Sequence, residues 1–253
     1  MKGTLYGTTA GGGNIYGTAF ALDPKNGTET VLYSFCQEQN CADGAEPGAT
    51  VINVNGTLYG TTITGGAFSC GNGNGCGTVY SIDPTTDAET VVHSFGNGTD
   101  GIDPLANLID VNGTLYGTTV AGGITGCGSF GCGTVFSIDP KTGAEKVLYS
   151  FCSQPNCADG ASPESSLIAV RGTLYGATNA GGGKGCGGAG CGTVFSIDLN
   201  TGSEKVLYAF CRQENCTDGE IPYGLIAVKG SLYGTTYAGG NNGDGTVFVL
   251  TKR

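Results

Sequence analysis

The chain of 253 residues is 39% apolar and carries a formal net charge of −10, with 49 glycines and 12 cysteines. This length can bury a sizeable core, and the negative charge would repel the phosphate backbone of a nucleic acid, so we expect no nucleic-acid partner. Glycine follows no Gly-X-Y register and no apolar stretch is long enough to span a membrane. These features exclude a collagen and a membrane span, and they favour a turn-rich all-β fold.

One heptapeptide recurs along the whole chain. GTLYGTT begins at Gly3, Gly56 and Gly113, and it returns as GTLYGAT at Gly172 and GSLYGTT at Gly230. Repeats of this length stack on one another, because none can bury its apolar surface alone. The sequence therefore predicts a single repeat domain over residues 1–253. Its expected units are 1–47, 48–103, 104–163, 164–221 and 222–253.

Each unit contains four runs of strand length, rich in β-branched and aromatic residues. In the fourth unit they are LIAV from Leu167, TLYGAT from Thr173, GTVFSID from Gly192 and EKVLYAF from Glu204. A tight turn such as VNGT joins the first two strands, and turns such as DPKTGAE join the last two. Turns of this chemistry connect antiparallel neighbours, so each unit is predicted to be a four-stranded meander.

Both faces of these strands are apolar. In KVLYSF, Val147, Tyr149 and Phe151 point one way and Leu148 points the other. Radially packed four-stranded sheets are covered on both sides by their neighbours. We therefore predict a β-propeller of about five blades, the first and last incomplete with three strands each. The chain is then either an excerpt of a longer array or a subunit that meets a second copy at that gap.

The order of strands and turns resembles a kelch-type blade, with a diglycine at Gly65, Gly122, Gly182 and Gly239. It is more similar to the GloVer repeat family, because the signature LYGTT…GG…GTVF, with single-residue variants, recurs in all five units. The resemblance implies a bacterial surface or secreted protein of tandem repeats and no defined activity. The first unit departs from it, since the segment around Gly11 is shorter and lacks cysteine.

The cysteines fall into six closely spaced pairs. The loops after Gly13, at Phe95 and at Asn241 lack both members of a pair. Loss in pairs indicates local disulfides, and zinc is the alternative only where two pairs come together. The predicted bridges are Cys36/Cys41, Cys70/Cys76, Cys127/Cys132, Cys152/Cys157, Cys186/Cys191 and Cys211/Cys216.

Disulfides form in an oxidising compartment, so an extracellular or cell-surface location is expected. No secretion signal is visible after Met1 and Lys2, and we expect it to have been removed or to lie in a longer parent. In an up-and-down meander, the loops that carry the cysteines emerge at the same end. The sequence therefore predicts one decorated face, which is the expected binding face.

Four of the connections to the next blade contain the motif DGxxP, which begins at Asp43, Asp100, Asp159 and Asp218. These carboxylates can hold calcium or sugar hydroxyls, or they can accept backbone N–H groups inside Asx-type turns. We predict no cofactor, with calcium as the alternative.

Aromatic side chains on the loops are candidates for stacking on sugar rings. Phe68, Phe130 and Tyr237 lie on the segments between the second and third strands. The alternative is that these rings plug the loops as apolar packing.

Catalysis requires residues that break the repeat, and few exist. His93 is the only histidine and replaces the tyrosine of the other fourth strands, so we expect a packed side chain rather than a base. Acidic residues follow the DG turns in places expected to be equivalent, and two of them would suit a glycosidase only at the right separation. These residues are Glu46, Asp103, Glu164 and Glu220.

The sequence thus predicts a non-enzymatic extracellular module that presents bridged loops for multivalent binding, with glycan as the expected ligand, or for assembly. One alternative is a polysaccharide-acting enzyme with carboxylates at the channel mouth. Another is a subunit of an extracellular filament, joined to a second copy through the incomplete terminal blades.

Overall fold

A computed structural model describes residues 3–71, 73–123, 127–183 and 185–251. The fold is all-β, and its helical content within these residues consists of single-turn 3₁₀ segments. None of the helices in this part of the chain is long and apolar enough to cross a membrane. The strands are β1 (Leu5–Thr9), β2 (Thr18–Leu22), β3 (Glu29–Ser34), β4 (Ile52–Val54), β5 (Thr57–Thr62), β6 (Thr78–Asp83), β7 (Ala88–Ser94), β8 (Gly101–Ile102), β9 (Ile109–Val111), β10 (Thr114–Thr119), β11 (Ala121–Gly122), β12 (Thr134–Ile138), β13 (Glu145–Ser150), β14 (Ile168–Val170), β15 (Thr173–Thr178), β16 (Thr193–Asp198), β17 (Glu204–Ala209), β18 (Glu220–Val228), β19 (Ser231–Ala238) and β20 (Val247–Thr251). The 3₁₀ segments are Gln39–Cys41, Gly128–Phe130, Pro155–Cys157, Cys186–Gly188 and Glu214–Cys216.

Five antiparallel sheets follow the repeats in chain order. Their strand orders are β1-β2-β3, β4-β5-β6-β7, β9-β10-β12-β13, β14-β15-β16-β17 and β18-β19-β20. The short strands β8 and β11 lie outside these five sheets. Strand counts of three, four, four, four and three agree with the sequence analysis, which places a three-stranded sheet first and last.

The chain divides into two compact units. The first comprises residues 1–117 and 137–146, and the second comprises residues 118–136 and 147–253. The boundary between these residue sets falls within the strands of the third sheet. The single domain over 1–253 and its blade limits remain predictions.

Within each unit, aromatic side chains of successive sheets meet edge to face. In the first unit, Phe35 after β3 packs against Tyr80 of β6, with ring centroids 4.8 Å apart. In the second, Phe151 after β13 packs against Phe195 of β16 at 4.9 Å, and Phe210 packs against Phe248 at 5.0 Å. Edge-to-face pairs at this spacing contribute beyond the area that they bury. This packing explains why the strands are apolar on both faces.

The glycine of the LYG motif makes room for one of these rings. Gly176 of β15 lies opposite Phe195 of β16, and a Cβ on Gly176 would lie 2.5 Å from Phe195 Cζ. Gly7 stands in the same relation to Phe20, at 2.6 Å. Since no real Cβ comes so close to another carbon, the motif requires glycine for cross-strand packing.

The turns between the third and fourth strands are short and exposed. Asp139 Oδ1 accepts a hydrogen bond of 2.9 Å from Lys141 N, and this bond lowers the pKa of the Asp139 carboxyl. Asp23 and Asp83 make the corresponding bond in their own turns. These Asx-type turns are the short connections predicted by the Asp-Pro pattern, with Asp87 instead of glycine at the fifth position of the turn at Asp83.

Candidate functional site: the bridged loops

Two kinds of loop carry the cysteines. We call the connections between second and third strands the diglycine loops, and those that lead from a fourth strand to the next repeat the Asp-Gly loops. The diglycine loops are residues 10–17, 63–77, 120–133, 179–192 and 239–246. The Asp-Gly loops are residues 35–51, 95–108, 151–167 and 210–219.

A pair of threonines closes the base of each diglycine loop. The Oγ1 atoms of Thr62 and Thr78 lie 2.8 Å apart, and those of Thr178 and Thr193 lie 2.9 Å apart. All four side chains are fully buried. A buried hydroxyl is tolerated because it is hydrogen-bonded. The second threonine of LYGTT and the threonine of GTVF therefore fix where each loop leaves the sheet.

Each Asp-Gly loop folds around the carboxylate of its DGxxP motif, an arrangement we call the aspartate clamp; this residue is buried at Asp43, Asp100 and Asp159 and half-buried at Asp218. Asp159 accepts hydrogen bonds from Tyr149 Oη at 2.8 Å, Ser153 N at 2.9 Å and Gln154 N at 3.2 Å. Asp159 is fully buried, and burial raises the pKa of Tyr149, which keeps its hydroxyl a donor. The same contacts recur around Asp43 and Asp218.

Among the alternatives for these aspartates, the contacts support the Asx-type turn. Burial opposes ionisation of Asp218, but hydrogen bonds from Tyr208 and from the backbone of Arg212 and Gln213 outweigh it and lower its pKa. A carboxylate that accepts several hydrogen bonds is held ionised and in place. The role of these residues in ligand binding stays a prediction.

The clamp around Asp100 uses the histidine. His93 Nε2 lies 3.3 Å from Asp100 Oδ2, and Gly96 N donates to Asp100 Oδ1 at 2.9 Å. The His93 ring also packs edge to face on Phe95, with centroids 4.8 Å apart, and its side chain is 17% exposed. His93 is thus a packed side chain in the place of a clamp tyrosine, as its position in the repeat predicts.

The proline of DGxxP packs on the glycine that precedes the TVF strand. A Cβ on Gly133 would lie 2.6 Å from Pro163 Cδ, and a Cβ on Gly17 would lie 2.6 Å from Pro47 Cδ. The motif therefore joins an Asp-Gly loop to the diglycine loop of the same repeat.

Hydrogen bonds also join successive repeats at these loops. In the first unit, Gly66 N donates to Cys41 O at 2.9 Å. In the second, Gly182 N donates to Cys157 O at 2.8 Å, and Gly240 N donates to Cys216 O at 3.0 Å. Within each unit, neighbouring loops of the two kinds are therefore hydrogen-bonded to one another. This is expected for loops that leave an antiparallel meander at the same end.

All cysteines are bridged within their own loops. The structure forms each of the six predicted pairs, and no free cysteine occurs among the described residues. In the second unit, four of the bridges form two groups of two neighbouring bridges. The four sulfurs of each group lie within 4.8 Å of one another. The groups are Cys127/Cys132 with Cys152/Cys157, and Cys186/Cys191 with Cys211/Cys216.

Cys76 shows how a bridged diglycine loop is anchored in the core. Cys76 forms its predicted bridge to Cys70, but its side chain is fully buried and belongs to the core, so it cannot contact a ligand. The reason is its place at the end of a diglycine loop, where the chain returns to the sheet. There Cys76 N donates to Gly65 O at 3.0 Å, and Cys76 O accepts from Asp103 N at 3.1 Å.

The second cysteine of the other bridged diglycine loops has the same position. Cys132 is fully buried and Cys191 is 2% exposed. Like Cys76, each lies one glycine before the threonine that begins its third strand. These three cysteines therefore anchor the loops in the core, and the expected binding face consists of other residues.

The candidate stacking residues lie at the protein surface. The exposed fraction is 38% for Phe68, 54% for Phe130 and 76% for Tyr237. Phe68 and Phe130 lie on diglycine loops as expected, but Tyr237 lies on strand β19, because this strand extends to Ala238, so its expected place on a loop was wrong. Two further apolar residues of this kind, Ile15 and Tyr16, lie exposed on the first diglycine loop, and the sequence analysis missed them. Aligning IYGT with the GCGT of other repeats would have shown Tyr16 in the place of a cysteine.

The acidic residues near the DG turns are not equivalent, so that expectation was wrong. The residue before each DGxxP proline has a positive φ, and only two of these four residues are acidic: φ is 58° at Glu46, 58° at Asp103, 52° at Ser162 and 56° at Ile221. Glu164 follows its proline and Glu220 lies two residues before its own. Burial raises the pKa of Asp103 and of Glu164.

A second set of carboxyl groups, missed by the sequence analysis, lies half-buried near the clamps. Burial, followed by the charges of Asp43 and Glu38, raises the pKa of Glu89 to about 8. Burial and Asp159 likewise raise the pKa of Glu204 to about 7, although its hydrogen bond with Tyr149 opposes the shift. The recurring Glu at the start of the fourth strand was the available signal. Burial also raises the pKa of Glu145, which is near His93 and Asp100.

Comparisons with solved structures find similar folds over the whole chain. The nidogen/laminin complex matches with a TM-score of 0.56 and 12% identity, covering 100% of this chain and 77% of that chain. A luciferin-regenerating enzyme matches with a TM-score of 0.55 and 14% identity, covering 100% and 75%. A putative 6-phosphogluconolactonase from Bacteroides uniformis matches at 0.50 and 13%, covering 99% and 68%. At these identities the likeness concerns the fold alone.

Two further comparisons bear on ancestry. No curated protein matches the chain. A family model described as a Gloeobacter/Verrucomicrobia repeat matches residues 1–248. The match extends over all the repeats recognised in the sequence.

Proposed function

Because this chain belongs to the Gloeobacter/Verrucomicrobia repeat family, we propose that it is a non-enzymatic module outside the cell, whose bridged loops bind glycan multivalently. The observation that carries the proposal is that the aromatic rings at these loops are exposed, whereas the carboxylates of the clamps are engaged in internal hydrogen bonds. Phe68 and Phe130 on bridged loops, and Tyr237 at the end of β19 beside the last diglycine loop, are exposed to solvent. The clamp aspartates instead accept hydrogen bonds from backbone N–H groups of their own loops.

Exposed aromatic rings on a rigid loop suit sugar recognition. A ring presents a flat apolar face and loses little conformational freedom on binding. The bridges and clamps hold these loops in place, so less entropy is lost when a ligand docks. Several similar loops on one molecule then allow weak individual contacts to add up in avidity.

The proposal includes the arrangement of the repeats. We propose that the sheets pack radially as a β-propeller of about five blades, with the bridged loops at one end. The face-to-face contacts of successive sheets within each unit and the likeness to the nidogen/laminin structure support it. A chain of this length packed compactly has a radius of gyration of about 18 Å. Small-angle scattering would give a clearly larger radius for a straight stack of sheets.

Location and cofactors follow from the same features. Six disulfides fit an oxidising extracellular environment. Glycan recognition by aromatic rings needs no metal, so binding is expected to survive dialysis against a calcium chelator. Loss of binding on chelation, with recovery on adding Ca²⁺, would instead favour calcium at the acidic loop residues.

The test is binding of the oxidised protein to a glycan array and to insoluble cellulose, chitin, xylan and peptidoglycan. Replacement of Phe68, Phe130 and Tyr237 together by Ala should weaken apparent binding by about 100-fold or more, because avidity is lost. Tyr223→Ala is the control, since Tyr223 is 55% exposed but lies inside strand β18, whereas Tyr237 adjoins the last diglycine loop at the end of β19. Equal binding by the triple variant, or no binding to any glycan, would reject the proposal. Release of reducing ends from a polysaccharide would favour the enzyme.

Assembly is a second candidate, and the exposed apolar residues of the last sheet favour it. The exposed fraction is 80% for Val247, 61% for Ile226 and 55% for Tyr223. An exposed apolar patch with an edge strand is a typical site of association. Light scattering should then show a mass that rises with concentration and falls in the variant Val247→Lys. A constant monomer mass would exclude a filament subunit.

A further inference from the structure

We propose that each of the two four-cysteine groups of the second unit becomes a tetrathiolate site for a soft divalent metal ion, such as Zn²⁺, when its bridges are reduced. One group joins Cys127 and Cys132 of a diglycine loop to Cys152 and Cys157 of an Asp-Gly loop. The other joins Cys186 and Cys191 to Cys211 and Cys216 in the same way. Each group therefore draws its ligands from two loops of one repeat.

The geometry of each group is close to that of a metal site. Four sulfurs at about 2.3 Å from a tetrahedral Zn²⁺ lie about 3.8 Å from one another. In both groups all four sulfurs lie within 4.8 Å of one another, and the two sulfurs of each bridge would move apart to the tetrahedral spacing once the bridges open. The four residues between the cysteines of every pair in these groups also fall within the spacing typical of zinc ligands.

Each group of four cysteines is open to solvent on one side, so that a metal ion can reach it. Cys132 and Cys191 are buried, whereas Cys127 is exposed to solvent. The other sulfur-bearing residues of the two groups are at least partly exposed. A site with buried ligands on one side and solvent on the other can take up an ion without unfolding.

The two states differ by a balanced reaction. Reduction of both bridges in one group by a dithiol or a phosphine takes four electrons and four protons and gives four thiols. Binding of Zn²⁺ then releases protons as the thiols become thiolates, so uptake weakens at low pH. The same loops are thus held by covalent bonds in an oxidising compartment and by a metal in a reducing one.

The experiment is a Co²⁺ titration of the full chain, reduced with a phosphine under nitrogen. We expect two Co²⁺ per chain, with the visible bands of tetrahedral cobalt and thiolate charge transfer in the near ultraviolet, both lost on adding Zn²⁺. The oxidised protein should give no such bands. X-ray absorption of the Zn²⁺ form should show four sulfur ligands at about 2.3 Å, and a first shell containing oxygen or nitrogen would overturn the proposal without any variant.

The chain supplies its own control. Cys36/Cys41 and Cys70/Cys76 form no four-sulfur group among the described residues. The double change Cys152→Ser and Cys157→Ser should lower the stoichiometry from two to one, whereas Cys36→Ser with Cys41→Ser should leave it at two. Equal losses in both variants would mean unspecific binding by a thiol-rich chain, and the proposal would be wrong.

Discussion

The Asp-Gly loops at 95–108 in the first unit and at 151–167 in the second are built on the same clamp but differ in their bridge. Asp100 and Asp159 each accept a backbone N–H and a side chain of the preceding strand. Five positions separate Phe95 from Asp100, whereas eight separate Phe151 from Asp159 and include both cysteines. The clamp thus forms without a disulfide, and the bridge accompanies the longer loop.

This difference indicates that the aspartate clamp and the disulfide bridge stabilise the loop in different ways. A buried carboxylate with several donors fixes where the loop returns to the sheet, and its loss leaves donors unsatisfied. A bridge acts mainly by restricting the unfolded chain, and a longer loop has more entropy to restrict. The clamp should therefore matter more than the bridge.

The largest expected effect is the loss of a clamp. Asp159→Ala should lower the free energy of unfolding by about 3 kcal/mol, because Tyr149 Oη, Ser153 N and Gln154 N lose a buried acceptor. Asp139→Ala, in an exposed turn with one such bond, should cost less than about 1 kcal/mol. Urea unfolding followed by circular dichroism measures both. Equal losses would refute the importance of the clamp.

Loss of one bridge should have a smaller effect. Cys211→Ser with Cys216→Ser should cost about 2 kcal/mol, the chain-entropy value for a loop of about six residues. Replacing residues 152–158 by Gly-Asn-Gly-Thr, which copies the loop at 96–99, should cost less than about 1 kcal/mol, since the shorter loop needs no bridge. If the bridge variant loses more free energy of unfolding than Asp159→Ala in the same urea experiment, the clamp is not the more important of the two.

The half-buried glutamates near the clamps make stability depend on pH. The folded pKa of Glu89 is raised from 4.5 to about 8, so the native state keeps a proton that the unfolded state releases. Stability from this group is present below pH 4.5 and is lost as pH rises towards 8. Tm should therefore fall between pH 5 and pH 8, and less steeply in Glu89→Gln.

Glu29 is the control for this dependence. It opens the fourth strand of the first repeat, as Glu89 does in the second, but its side chain is exposed. Glu29→Gln should leave the slope of Tm against pH unchanged in calorimetry. A flat profile in the wild-type protein would show that Glu89 is not protonated in the folded state.

The smallest expected effect concerns the single histidine. His93→Tyr restores the residue found in the other clamps and offers a hydroxyl to Asp100, so it should add about 0.5 to 1 kcal/mol. His93→Phe keeps a ring without a donor and should destabilise by about 1 kcal/mol. If His93→Phe and His93→Tyr have the same Tm, the aromatic ring alone accounts for the stability and the hydrogen bond to Asp100 contributes nothing.

Much of this structure was predictable because its causes are local. The runs around LYG, TVF and VLY predict strands from their β-branched and aromatic residues, and Asp139 and Asn55 mark turns. Pairwise loss of cysteines predicted bridges within a loop. His93 was identified as packed because its position in the repeat is that of a tyrosine.

The sequence alone determined the repeat, its strands, its turns and its local bridges, since each depends on residues close together in the chain. Only the tertiary structure decided which distant groups meet and which loop residues are buried, as Cys76 is. Cys132 and Cys152 are 20 positions apart but share one group of sulfurs, and Glu204 reaches the tyrosine of the previous repeat. Such contacts depend on how one sheet packs on the next, which hydrophobic periodicity does not encode.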